Sequence, residues 1–252
     1  MPIAVSTIQD VLDKLDAIIR QAEQSGSRQG YFAALYRRMT LAVQQASDKN
    51  DFTDKARMER LDVTFAKRYL DSYEAYQDKS AISHSWQFVF DTCEQKNITV
   101  IQHLLLGINT HINLDLAIAA ADTCPGEAIY ELRADYDLIN DTIASLLDEV
   151  QDKLTKVWWP LFFIRKIVNH RQDGVINFSI STARTAAWAN AVALCNAAPE
   201  TRSNYIHGID ETVVAIANGI TKPGWFAGLI LKAVRWSEYK EVKRVIRLLN
   251  AP

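Results

Sequence analysis

The stretch Gln102-His103-Leu104-Leu105-Leu106-Gly107-Ile108-Asn109-Thr110-His111-Ile112-Asn113-Leu114-Asp115-Leu116 decides how this chain is read. It lies inside an apolar run from Ile98 to Ala121, closed by Cys124-Pro125-Gly126. A run of that length with such an ending reads as a buried helix. Burying imidazole, amide and carboxylate groups costs free energy unless each finds a partner. So many of them on one core helix point to an active or binding site, without naming the reaction.

At ~100° per residue, His103, Gly107, His111 and Asp115 share one arc of the helix, and Gln102, Asn109 and Asn113 share a second. His111 and Asp115 stand one turn apart. That spacing suits two ligands of one metal ion, or an imidazole whose tautomer is fixed by a carboxylate. His103 is ~12 Å along the axis from His111, so a straight helix cannot bring both to one ion. Gly107 would permit a bend or a close approach by a ligand. Each residue also has a plain structural reading, a buried His on a carbonyl or an Asn bridging backbone. The density of the cluster favours a site.

Outward from this segment the chain reads as helix nearly throughout, because glycine and proline fall mostly between periodic stretches. Ser6 or Thr7 caps a first helix to about Gln24, and Gly26 and Gly30 bracket a turn. A second helix covers Tyr31 to Ser47, and a third Thr53 to Tyr76. A fourth, capped by Ser83, carries Trp86, Phe88, Val89 and Phe90. A sixth, with a bend, runs from about Glu127 to Lys156. Shorter helices follow at Leu161 to Val168, Thr182 to Cys195, Arg202 to Ile220, Trp225 to Arg235 and Tyr239 to Leu249. Only Val175 to Ile180 reads as extended. The expected fold is all-α, one domain over 1–252, with about ten helices around a buried polar-studded central helix.

The totals limit the function. With 252 residues, 48% apolar and 23% charged, the chain is globular rather than disordered. A net charge of −2 gives no footprint for nucleic acid. Lys240, Lys243, Arg244 and Arg247 alternate with Glu238 and Glu241, the pattern of a solvated amphipathic last helix. Cys93, Cys124 and Cys195 are far apart and form no CxxC, which fits structural thiols in a reducing compartment. The N-terminus lacks the pattern of a signal peptide, and polar residues interrupt the longest apolar run, arguing against a membrane span. The expectation is a soluble cytoplasmic protein.

Four segments carry a resemblance. They are Arg60-Leu61-Asp62-Val63-Thr64-Phe65-Ala66-Lys67-Arg68-Tyr69-Leu70 followed by Trp86, then Gln102 to Leu116, Arg133 to Asn140, and Ser179 to Trp188. Together they resemble an uncharacterised, mainly bacterial helical family still labelled a domain of unknown function, marked by the pattern QHLLLGxNxHINxDL. The resemblance implies an all-helical fold and supplies no activity. It nominates Asp62, Arg68, Asp137, Asn140, Arg184 and Trp188 as partners of the fifth helix. Asp137 and Asn140 are helix neighbours, and the arginines suit buried carboxylates or an anionic ligand.

Weaker signals remain. His207-x-x-x-Glu211 has metal-compatible spacing, but such pairs are common by chance. His84 reads as a capping or surface residue, and His170 as exposed. Asp141-x-x-x-Ser145-x-x-x-Glu149 has the spacing of a magnesium motif of terpene cyclases, with no aspartate-rich partner motif. Trp158, Trp159, Phe162 and Phe163 read as helix-junction packing. No P-loop, dinucleotide or GxSxG pattern is present.

These readings converge on an enzyme acting on a small, partly apolar molecule in a pocket between helices. His111 would be the acid/base and Asp115 its orienting partner, with His103 and Asp137 lining the same cavity. Asn109, Asn113, Arg68, Arg184 and Trp188 would bind substrate. A divalent metal on His111 and Asp115 is an option, and mixed N/O ligands favour Zn, Mn or Fe. The alternative is a non-catalytic binding protein for a lipid-like or isoprenoid ligand, and a third class is a structural interaction module. The oligomeric state is not legible.

Overall fold

A computed structural model describes residues 5–49, 52–139 and 180–251. Side-chain caps open four of the described helices. Thr7 accepts the Asp10 N–H, and the Asp10 carboxylate accepts the Ser6 and Thr7 N–H groups, a capping box that opens α1 (Ile8–Ser25). Those bonds hold the Asp10 carboxyl down at about 2. Gly26 ends α1 at φ 68°, a left-handed position that costs other residues. Asp54 caps α3 (Lys55–Gln77), and Ser83 caps α4 (His84–Cys93) through the Trp86 N–H.

Gly30 departs from the turn expected there. It lies inside α2 (Gln29–Asp48), where a Cβ would come within 2.6 Å of both Ala22 Cβ and Ile246 Cδ1. Glycine there lets α1, α2 and the last helix cross closely.

The central segment is not the single α-helix expected over Ile98 to Ala121. Thr99 and Gln102 form a capping box, α5 runs Val100–Thr110, a π-helix covers His111–Leu116, and α6 runs Ala117–Thr123. π turns are rare, and the side chains show a local cause. Asn113 Nδ2 donates to the Asn109 carbonyl at 3.1 Å, the acceptor an α-helix reserves for the Asn113 N–H. The side chain thus competes with the backbone for that oxygen.

The sixth helix, expected to bend at some point between Glu127 and Lys156, breaks at Leu132, between α7 (Ala128–Glu131) and a helical segment at 133–139. Its remainder lies outside the described residues. So do the helix at Leu161 to Val168, the extended stretch before Ile180, the magnesium-type motif, the aromatic cluster at 158–163, His170 and Asn140. The chain continues with α8 (Ile180–Asn196), α9 (Pro199–Thr221), α10 (Trp225–Ser237) and α11 (Val242–Asn250). No strand occurs among the described residues, and the fold is an all-α helical bundle.

The central segment is the axis. α5 packs on α2, α4 and α9, the π-helix on α3, α8 and α9, and α6 on α3 and α8. Val100–Thr123 has the length and apolarity of a membrane span, yet 94% of its apolar 18-residue window is buried within the protein, as a core helix is. Three buried carboxylates tie distant segments to helix starts. Asp135 accepts the Thr53 and Asp54 N–H groups before α3, Asp210 accepts those of His84 and Ser85 on α4, and Glu238 accepts that of Val100 on α5. Each satisfies N–H donors left open at a helix start. Val245, Ile246 and Leu249 bury one face of α11, the amphipathic helix expected. The three cysteines are unbridged.

Candidate functional site

The π-helix carries a buried polar cluster. His111 Nδ1 stands 2.9 Å from Asp115 Oδ2, Trp86 Nε1 donates to the same oxygen at 2.9 Å, and Arg68 Nε donates to Oδ1 at 3.2 Å. Asp115 is 1% exposed, and a carboxylate at that depth needs such donors. Its pairing with Nδ1 assigns the imidazole proton to that nitrogen, leaving Nε2 as the acceptor. Nε2 is buried with no hydrogen-bond partner among the described residues. Burial lowers the His111 pKa from its usual value, with Asp115 opposing and Arg68 adding to the effect, so the ring is neutral at pH 7.

Aromatic rings enclose the imidazole. Phe65 stacks on it at 3.7 Å and 10°, and the edge contacts of Tyr36 and Phe32 lie at 4.4 and 5.7 Å. Beside it lies a cavity of about 50 Å³ lined by His111, Phe65, Tyr36, Phe32, Asp62, Arg184 and aliphatic side chains of α2, α3 and the central segment. Mostly apolar walls with a few convergent polar groups are the usual make-up of a small-molecule site.

Asp62 is the second titratable group of the cavity. Burial pushes its carboxyl up to about 7, with Arg184 pulling it down and Glu59 adding a smaller upward push. Arg184 is itself buried. It donates to the Tyr136 carbonyl at 3.0 Å, lies 4.4 Å over the Tyr136 ring, and its carbonyl accepts the Tyr136 hydroxyl at 2.8 Å. Burial, Asp62 and Asp115 together push the Tyr36 phenol well above its ordinary value.

The structure brings together His111, Asp115, Arg68 and Arg184 from the residues singled out in the sequence, with Asp62 from the resemblance. It places the others elsewhere. His103 lines a separate cavity of about 10 Å³ with Arg28, Tyr69, Trp86 and Cys93, and neither ring nitrogen has a partner among the described residues. Burial lowers it to about 3, with Arg28 and Arg235 adding. Phe32 lines both cavities and presses on Gly107, where a Cβ would stand 2.4 Å from its ring. The close approach Gly107 permits is therefore that of a core phenylalanine, which separates the two imidazoles.

Asp137 is half-exposed and pairs with Arg133 at 2.6 Å, away from the cavity lining. Trp188 packs on Tyr136, with Arg133 over its ring. Asn109 donates to the Val213 carbonyl at 3.0 Å and accepts from Asn113 Nδ2 at 3.0 Å, so both amides serve helix packing. As for a metal on His111 and Asp115, the pair is bonded to itself and both carboxylate oxygens already accept N–H donors.

Reading the sequence alone missed Trp86, Tyr36 and Phe65 as parts of the site. Asp62 came only from the resemblance. The signal that reaches Asp62 and Phe65 is the Arg60 to Leu70 segment, where Asp62, Phe65 and Arg68 fall within two turns of α3.

The fold and site define an all-helical protein with a buried His–Asp pair beside a small cavity. The chain belongs to DUF5995, a family of unknown function, whose family model matches residues 8–223. Comparisons with curated proteins and with solved structures give no match.

Proposed function

We propose that this protein is an enzyme that transfers protons on a small, partly apolar molecule bound in the cavity beside His111. The observation that carries the proposal is the unpartnered Nε2 of a neutral imidazole whose other nitrogen is locked on Asp115. That is the arrangement of a general base: Asp115 fixes the tautomer, and Trp86 and Arg68 fix Asp115. Asp62, at about 7, is balanced between acid and base at neutral pH, so one cavity holds two groups of complementary role. Arg184 supplies positive charge for an anionic substrate group. π turns often occur at functional sites, which agrees with this placement.

Cavity size favours a small substrate. At ~10–15 Å³ per water-sized probe, about 50 Å³ accommodates roughly four waters, far short of a lipid-like or isoprenoid chain. Nε2 is covered, so substrate entry requires side chains around it to shift, and Phe65 is the partly exposed ring that stacks directly on the imidazole. The self-paired His111 and Asp115 support chemistry without a metal at this position. Three unbridged thiols fit a cytoplasmic, reducing location.

The test is metabolite profiling. Wild type and His111→Gln, both checked for helicity, are incubated with a small-molecule cell extract and compared by mass spectrometry. Consumption of a small molecule by wild type alone supports the proposal. A ligand that co-purifies with wild type without turnover would replace it with a binding function.

A further inference from the structure

A second group of ligand-type side chains lies on the surface, away from the cavity. His84 opens α4, and His207 and Glu211 sit one turn apart on α9. Their ligand atoms all lie within 4.8 Å of one another. His84 Nδ1 is 2.6 Å from Glu211 Oε1, and the His84 and His207 rings meet edge to face at 5.7 Å.

We propose that His84, His207 and Glu211 form a three-ligand site for a divalent metal ion of the zinc class. Two imidazoles and one carboxylate are a donor set that holds zinc with its fourth position open. Zinc takes such donors at about 2.0–2.2 Å, so its ligand atoms must draw somewhat closer than 4.8 Å. All three side chains are exposed, and rotation about their own bonds supplies that movement.

The backbone beneath them is fixed. Buried Asp210, adjacent to Glu211, accepts the His84 N–H at 2.7 Å and the Ser85 N–H at 3.0 Å. Ligands more than a hundred residues apart in sequence are therefore presented on two helices clamped together at the site itself, which is how a ligand set is preorganised. The sequence showed only the His207–Glu211 pair; folding adds the third ligand.

The test uses untagged, chelator-treated protein titrated with Co(II), followed by visible absorbance, with Zn(II) as competitor. The expected result is saturable binding of one ion per chain, weakened at least tenfold in His207→Ala and in Glu211→Gln and unchanged in His111→Gln. Circular dichroism confirms that each variant remains helical. Binding that is absent, that survives His207→Ala, or that is lost in His111→Gln overturns the proposal.

Discussion

His111 and Asp115 bond each other at 2.9 Å within a single π turn, while Trp86 from α4 and Arg68 from α3 hold the carboxylate in place. The pair is thus a joint among three helices as well as the centre of the cavity wall. Its energetics and its chemistry can be separated by substitution.

Asp115→Ala leaves the His111 Nδ1–H and the Trp86 indole N–H buried without their acceptor. Each buried donor left unsatisfied in this way costs about 1–3 kcal/mol. Trp86→Phe removes one bond to a charged group, a loss of roughly 1.5–3 kcal/mol plus some packing. Urea denaturation of both variants should give the larger loss for Asp115→Ala. A loss below about 1 kcal/mol there would mean that the cluster does not join the helices.

His103 governs an acid-sensitive part of stability. Its value is about 3 in the folded chain against 6.5 ordinarily. Between those values the unfolded chain binds a proton that the folded chain refuses. The stability it contributes is therefore present above about pH 6.5 and lost as pH falls towards 3. His103→Phe removes this dependence. From pH 6.5 to about 4.5, wild type should lose roughly 2 kcal/mol relative to the variant in denaturant titrations.

Asp62 works in the opposite sense. Its folded value, about 7, lies above the ordinary 3.8, so the folded chain holds the extra proton. That stabilisation is full below about pH 3.8 and gone above about 7. Asp62→Asn should thus gain on wild type as pH rises from 4 to 8, by roughly 1–3 kcal/mol once the surface that Asp62 keeps is allowed for. Glu238, also raised to about 7, acts over the same window, so only the difference between variant and wild type isolates Asp62.

Gly107→Ala places a methyl group 2.4 Å from the Phe32 ring. Overpacking of this kind costs about 1–3 kcal/mol. Phe32 touches both cavities, so the variant should also weaken any ligand held beside His111. Phe32→Leu in the Gly107→Ala background should recover part of the stability. No recovery would mean that the ring is not what the methyl meets.

What the sequence disclosed and what it hid divide along range. Thr7, Ser83 and Gly26 act within one turn of themselves, so their roles were readable. His111 and Asp115 were readable as a pair because they are four residues apart. The π turn was not, since Ile108 to Leu116 keeps an ordinary apolar period and the extra width shows only in the backbone. His103 shared an arc with His111 on paper, but Phe32, seventy-one residues earlier, stands between them at Gly107. Asn109 looked like a ligand-binding amide because its acceptor, the Val213 carbonyl, is 104 residues away. Trp86 and Tyr36 joined the site by tertiary packing that no local pattern records.

The most direct test of the central claim is a crystallographic screen of small polar–apolar fragments against wild type and His111→Gln. The account predicts fragments in the cavity between α2, α3 and the central segment, with a polar atom within hydrogen-bond reach of His111 Nε2 and with Phe65 displaced. It also predicts their loss in the variant. Fragments that bind only elsewhere, or that occupy this cavity equally without the imidazole, would contradict it.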